Sequence, residues 1–475
     1  MRAPGRDAGR YRAAHLHQPD GWLSPGYLEI DDTGIIANVA SERPDTWPDH
    51  EIRHLDGYVL PGMANLHSHA HQRGLAGRAE GIPGGAGRDD FWSWRTRMYA
   101  FIGILTPEDL EAIAAQAYVE MLKAGFTAVG EFHYLHHDRD DRPYANPAEL
   151  SERILAAAGE TGIALTLLPA LYTHGGIGRL PTSAQRRFVH DDLDDFLSLV
   201  EQLLTLTAGD PLRRIGVAPH SLRAVSAENL TQLTEGIASV HPDAPIHMHV
   251  AEQTGEVNEC LAALGARPLE WLLDHVDVDE RWTLIHATHC TPAEWQAVIE
   301  LGATGGLCPI TEANLGDGLF PLRDYGRDGG RWGIGTDSNI AINLADELRV
   351  LDYGQRLFHQ QRNILVTPGH ETTEQPGRLL YDTALAGGAR AVGQPIGTIR
   401  PGMRADLVEL DPDAIPLIGH RPETALDGWI FGGGGPVVRN VMVAGNWVVR
   451  DGRHPRERDV LDRFRVTIGA LAAKQ

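Results

Sequence analysis

From about residue 58 to 395, short apolar runs alternate with stretches of helical periodicity. Eight such runs stand out, at 58–67, 128–134, 164–172, 214–221, 245–252, 282–289, 304–311 and 331–338. Unbroken apolar runs predict strands buried on both faces, as in parallel sheets. Their alternation with helices predicts right-handed βαβ units. Eight units over this span predict a (β/α)8 barrel of the TIM type, with enlarged loops.

The helices carry matching punctuation. Thr106-Pro107-Glu108-Asp109 offers an N-cap threonine, a proline in the first turn and an acid three residues on. Leu110, Ile113, Ala117 and Met121 then form one apolar stripe, and Gly125 can end the helix in a left-handed conformation. Thr291-Pro292-Ala293-Glu294 repeats the start, with Gly302 as the stop. The glycine-rich segment 81–90 after the first run reads as a gating insertion or as a plain loop.

Both ends of the chain have a different, β-rich texture. Tyr27-Leu28-Glu29-Ile30, the turn Asp31-Asp32-Thr33-Gly34 and the β-prone run after it predict a hairpin. A strand is expected at 405–410, and two more on either side of Ala444-Gly445-Asn446. The expected fold is therefore α/β. A (β/α)8 barrel spans 60–395, and a small β-sandwich-like domain forms from 1–59 and 396–475, the latter also holding a terminal helix.

Composition narrows the function. A chain of 475 residues with 42% hydrophobic and 22% charged residues fits a globular protein of one large domain with a smaller companion, or of two to three domains. A net charge of −22 opposes binding to nucleic acid or to an anionic membrane surface. No run reaches the roughly 18 apolar residues of a membrane span. The N-terminus has no apolar core of a secretory signal. Cys260, Cys290 and Cys308 are odd in number and widely spaced, so a reducing, cytoplasmic setting is expected.

The chemistry gathers at the ends of the runs, which form the active face of such a barrel. His67 and His69, two apart on an extended chain, point to one face and suit a borderline divalent ion. Among 23 histidines such a pair also arises by chance, so it needs partners. Later runs end in Glu131-Phe132-His133-Tyr134, Tyr172-Thr173-His174, Pro219-His220-Ser221-Leu222-Arg223, His247-Met248-His249-Val250-Ala251-Glu252, His286-Ala287-Thr288-His289 and Gly335-Thr336-Asp337-Ser338. The joint pattern predicts a metal site. Spacing alone does not choose between His247 and His249, and Asp337 taken singly also fits a helix cap.

His67-Ser68-His69, histidines on the fifth and sixth strands and an aspartate on the eighth resemble the amidohydrolase superfamily. The blocks at 131–137, 218–226, 249–257, 265–275, 307–322 and 347–357 resemble, within it, the formimidoylglutamate deiminases. The resemblance covers about 55 to 450. It implies one Zn2+ per chain on His67, His69, His249 and Asp337, which selects His249 over His247. It implies that Glu252, His286 and Asp337 are catalytic, and that Gln72, Arg95, Tyr134, His220 and Arg223 bind substrate. Arg97 competes with Arg95 for that role. His71 stands where the family usually has an aromatic.

The implied reaction is hydrolysis of formiminoglutamate, a small anionic substrate, to formylglutamate and ammonia in histidine degradation, by a cytoplasmic homodimer. Asp337 would take a proton from water, Glu252 would deliver one to the leaving nitrogen and His286 would bond the developing charge. Two rivals remain from the sequence. One is a deaminase acting on a nucleobase or related heterocycle, with Phe91, Trp92 and Trp94 for stacking. The other is a barrel that serves only as an interaction scaffold.

Overall fold

The computed structural model describes residues 7–81, 89–366 and 375–474. Most of the glycine-rich insertion, 82–88, lies outside the described residues. Eight parallel strands form the barrel. They are Met63–Ser68, Phe126–His133, Ala164–Leu171, a fourth in two pieces (Arg213–Ile215 and Ala218–Pro219), Ile246–Val250, Trp282–His286, Thr304–Leu307 and Arg331–Ile334. The first four form one sheet and the last four another. Two parallel bridges close the seams, Val217 to Ile246 and Ser68 to Asp337.

The helix signals act as read. Pro107–Ala124 begins with Thr106 and Asp109 in a reciprocal capping box and ends at Gly125, with φ +100°. Pro292–Leu301 does the same between Thr291 and Gly302, with φ +74°.

The strand ends are shorter than the apolar runs. The run at 58–67 holds parts of two strands. Tyr58 to Pro61 close the strand Ile52–Pro61 of the terminal sheet, and the first barrel strand starts only at Met63. Both pieces are buried and apolar, so hydropathy does not reveal the crossing at Gly62. The run at 304–311 likewise leaves its strand at Leu307 and turns into the helix Pro309–Leu315.

One eight-stranded sheet is drawn from both chain ends. Ile52–Pro61 lies at its middle, parallel to Gly9–Gln18 and antiparallel to Leu407–Leu410. Tyr11, Leu28, Ile36, Val59, Leu407 and Met442 share a core separate from the barrel's. The Ile35–Arg404 bridge brings the far side of the sheet back toward its start. The helix Glu457–Ala472 packs against the barrel helix Pro107–Ala124, where Lys123 pairs with Glu457 at 2.7 Å.

Two close approaches hold the eighth strand in place. Gly387 and Gly388 of the helix Pro376–Val392 ride directly on Trp332 and Gly333. Just beyond the strand, a Cβ on Gly335 would stand 2.7 Å from the His67 carbonyl oxygen and 2.8 Å from its Cβ. A methyl group there has no room without moving His67. Gly335→Ala is therefore expected to destabilise the fold by about 1–3 kcal/mol, as overpacking does, and to lower metal content. Thermal melting with metal analysis of the purified variant checks both.

Candidate active site

His67 is the last residue but one of the first strand, and His69 follows that strand at the turn into a short helix. Their main chains pair with the turn beyond the eighth strand. The Asp337 N–H donates to the His67 carbonyl at 3.0 Å, and the His69 N–H donates to the Asp337 carbonyl at 2.9 Å. The side chains follow. Asp337 Oδ1 lies 3.4 Å from His67 Nε2 and 3.3 Å from His69 Nε2. His249, on the fifth strand, completes a buried group whose ligand atoms all lie within 4.8 Å of one another.

The histidines are prepared as neutral donors. His69 Nδ1–H donates to the Phe132 carbonyl at 2.8 Å, and His249 Nδ1–H to the His220 carbonyl at 3.1 Å. Each bond leaves Nε2 with a free lone pair, the usual support for a metal-binding imidazole. Burial lowers the pKa of all three, that of His67 to about 3. Both ring nitrogens of His67 are buried without a hydrogen-bond partner. Such an orphan is costly unless something else meets it, and a cation does so. Three neutral imidazoles and a carboxylate fit a divalent ion, with zinc well matched.

Beside this group stand His286 and several buried carboxyl groups. His286 Nε2 is 3.6 Å from Glu252 Oε1 and 3.7 Å from Asp337 Oδ2. Its Nδ1 pairs with Glu312 Oε1 at 3.1 Å, an oxygen that also accepts the Cys308 N–H. Burial opposes a charge on His286, but Glu252, Glu312 and Asp337 outweigh it and push the pKa up to about 10. A dication on Asp337 would take up part of that negative field. Burial raises the pKa of Glu252. Asp317, close to Glu252 and His286, is pushed up to about 9 by burial and by Glu252.

The backbone is bent to this purpose. Ala251, His286, Ala287, Asp337 and Asn339 all have positive φ, between 43° and 66°. Non-glycine residues enter that region seldom, and such strain clusters at functional sites.

A cavity opens over the cluster. Its lining includes Gln72, Arg95, Tyr134, His220, Arg223 and Glu252. Tyr134 OH accepts from Gln72 Nε2 at 3.0 Å and meets His71 Nε2 at 2.9 Å. Arg223 is buried with Glu252 Oε2 at 3.5 Å and Glu256 Oε1 at 3.7 Å. Arg95 lies over the Trp92 ring at 4.4 Å on the cavity wall. Arg97 turns away and donates to the carbonyls of Ala79 and Gly81. His247 also stays out, with Nε2 on the Ala391 carbonyl at 2.9 Å. Glu312, Asp317 and Asn339 escaped the sequence reading. Glu312 and Asp317 lie in the block at 307–322, which does not by itself assign a contact, and Asn339 lies outside every such block.

The chain belongs to the amidohydrolase family, whose model matches residues 58–448. More particularly, it is 50% identical to the formimidoylglutamate deiminase of Pseudomonas aeruginosa, over 95% of this chain and 97% of that one. A crystal structure of an amidohydrolase from Brucella melitensis superposes with a TM-score of 0.89 at 44% identity, covering 98% of this chain and all of that one. An adenosine deaminase from Xanthomonas campestris, crystallised with bound zinc, shares the fold with a TM-score of 0.80 at 21% identity, covering 99% of this chain and 100% of that one.

The cluster predicts distinct outcomes for two variants. Asp337→Ala should reduce bound metal and abolish turnover, since the expected ligand and the expected base are the same residue. Glu252→Gln should keep metal at the wild-type level and lose about 100-fold or more in kcat, the scale of a lost general acid–base. Metal analysis beside steady-state rates tests the pair, and near-normal turnover in Glu252→Gln would remove its proton-transfer role.

Proposed function

We propose that this protein hydrolyses N-formimino-L-glutamate to N-formyl-L-glutamate and ammonia, as a step of histidine degradation. The observation that carries the reading is Arg223, a buried guanidinium on the cavity wall beside the proton-handling Glu252. The named relative at 50% identity supports the same substrate.

Zinc is the proposed ion, one per chain, held by His67, His69, His249 and Asp337. Bound there, it supplies the Lewis acidity that lets water react near neutral pH. Asp337 accepts a proton from the attacking water through its carboxylate. The oxygen adds to the formimino carbon while a protonated Glu252 gives its proton to the imino nitrogen; Glu252 then takes the proton of the new hydroxyl as the C=O bond forms, and the proton held by Asp337 passes to the same nitrogen, whose C–N bond breaks to release ammonia. His286 Nε2 faces the same space and donates to the oxygen on which charge builds. Glu312 fixes that ring from the far side, at 3.1 Å.

Substrate recognition falls to Arg223 and Arg95 for the two carboxylates, with Gln72, Tyr134 and His220 adding further hydrogen bonds. A planar guanidinium matches a carboxylate with two parallel bonds. Close contacts must do this work, because the protein's overall charge of −22 repels the substrate and salt screens that field beyond ~8 Å. The nucleobase reading draws less support, since Arg95 already covers one face of Trp92.

The proposal includes a homodimer in a reducing cytoplasm. Leu357 and Phe358, 79% and 71% exposed at the end of the helix Leu344–His359, offer an apolar patch suited to a second copy. All three cysteines are free. Among the described residues, no helix is long and apolar enough to cross a membrane.

Ammonia release from formiminoglutamate, guanine, cytosine and methylthioadenosine tests the substrate, and release only from a heterocycle would overturn the proposal. Arg223→Ala should cost on the order of 2–5 kcal/mol in kcat/KM for formiminoglutamate, the scale for a lost buried charge partner. Arg223→Lys should recover only part. Equal kcat/KM in all three proteins, at equal metal content, would take Arg223 out of the site.

A further inference from the structure

Glu256 lies in the first turn of the helix Thr254–Leu264, is 1% exposed and does not line the cavity. Its carboxylate nevertheless reaches both working parts of the site. Oε2 accepts the main-chain N–H of Glu252 at 3.1 Å. Oε1 faces Arg223 Nε at 3.7 Å, and neither of those two atoms has a hydrogen-bond partner. Arg223 is thus held between two carboxylates, that of Glu256 behind it and that of Glu252 at 3.5 Å on the cavity side. Both separations exceed a hydrogen bond. The guanidinium is flanked but not locked, and it can tighten onto either neighbour.

We propose that Glu256 is a positioning residue that couples recognition of the substrate carboxylate to proton transfer by Glu252. It anchors the Nε edge of Arg223, so that the terminal nitrogens turn to the cavity. The same carboxylate pins the Glu252 main chain, just after the strained Ala251 at φ +50°. An arriving substrate carboxylate takes the terminal nitrogens of Arg223 and so releases the Glu252 side chain for its proton.

A bare charge count argues the other way. Neutralising Glu256 leaves Arg223 with less negative charge around it, which should attract an anionic substrate more strongly. Orientation reverses that sign. Without its rear anchor the guanidinium closes on the one carboxylate left, that of Glu252, and both groups are withdrawn from the reaction.

This inference rests on the proposed substrate, and the experiment separates the two. Wild type, Glu256→Gln, Glu256→Ala, Arg223→Ala and the Arg223→Ala/Glu256→Gln double variant are assayed for ammonia release. The substrates are formiminoglutamate and N-propylformamidine, which has the reacting group but no carboxylate. Glu256→Gln keeps an oxygen for the Glu252 N–H and loses only the charge. It should cost about tenfold or more in kcat/KM on formiminoglutamate, and clearly less on the amidine. Glu256→Ala loses both contacts and should depress both substrates. In the double variant the Gln substitution should add less than about twofold, since its effect runs through Arg223. Melting midpoint and metal content are measured for every protein. If the Gln variant does not fold, Glu256→Asp replaces it and should show a smaller loss of the same pattern.

A Gln variant that binds formiminoglutamate more tightly at full kcat overturns the proposal. So do equal losses on both substrates, or additivity with Arg223→Ala. A wild-type protein that leaves formiminoglutamate intact instead overturns the substrate assignment.

Discussion

The first and eighth barrel strands meet through main-chain bonds made by the residues that carry three of the four clustered ligand side chains. His67 accepts from Asp337, and His69 donates to it. Closing the barrel and assembling the ligand group are therefore one event. Around that seam, Asn65 pairs reciprocally with Thr336, and Asn339 Nδ2 reaches Ser68 Oγ and the carbonyls of His69 and Asp337, each at 3.1 Å. These amides are buried and well satisfied, so they specify one register and not merely a compact core. Gly333 and Gly335 allow the approach because a side chain at either would strike its neighbours.

A second constraint follows from putting so many charges out of water. Glu252, Glu312, Asp317 and Asp337 all lie buried near His286. Carboxylates desolvated together cannot all ionise. Burial and mutual repulsion hold Asp317 well above the usual carboxylate range, whereas the histidines beside Asp337 hold it below. Proton affinities are thus driven apart among carboxyl groups that lie close together.

The architecture was legible because its signals are local. Capping at Thr106 and Thr291, glycine stops at Gly125 and Gly302, and apolar runs between helices each follow from a few neighbouring residues. Gly62 shows where that logic ends. From Tyr58 to Ala64 the run has no polar break, yet the chain leaves one sheet and enters another there, with the Gly62 N–H on the Asp406 carbonyl at 2.8 Å. That contact joins residues more than three hundred apart and leaves no local trace. Within the site, residues at strand ends could be read from the barrel's polarity. Glu312 and Asp317 could not, because they sit in and after a short helix and matter only through what His286 and Glu252 bring beside them. The choice between Arg95 and Arg97 likewise turned on which side of a helix faces the cavity, decided by tertiary packing.

The two groups of candidate site residues differ in where they are mounted, and on the proposed roles this separates chemistry from selectivity. His67, His249 and His286 stand on strands, and His69, Glu252 and Asp337 lie one to three residues beyond them. The strand positions are fixed by ladder bonds, His69 and Asp337 by the main-chain bonds of the seam, and Glu252 by the Glu256 carboxylate on its N–H. Arg95 rides on the helix Phe91–Gly103 and Arg223 on the loop after the fourth strand, neither held by a ladder. Their direction is set instead by side chains: Trp92 and Tyr99 under Arg95, and Glu256 with Phe91 around Arg223. If Arg95 and Arg223 hold the substrate as proposed, its preference can shift by changing these supports while the seam that builds the ligand group stays intact, as barrels that vary their loops over a constant core allow.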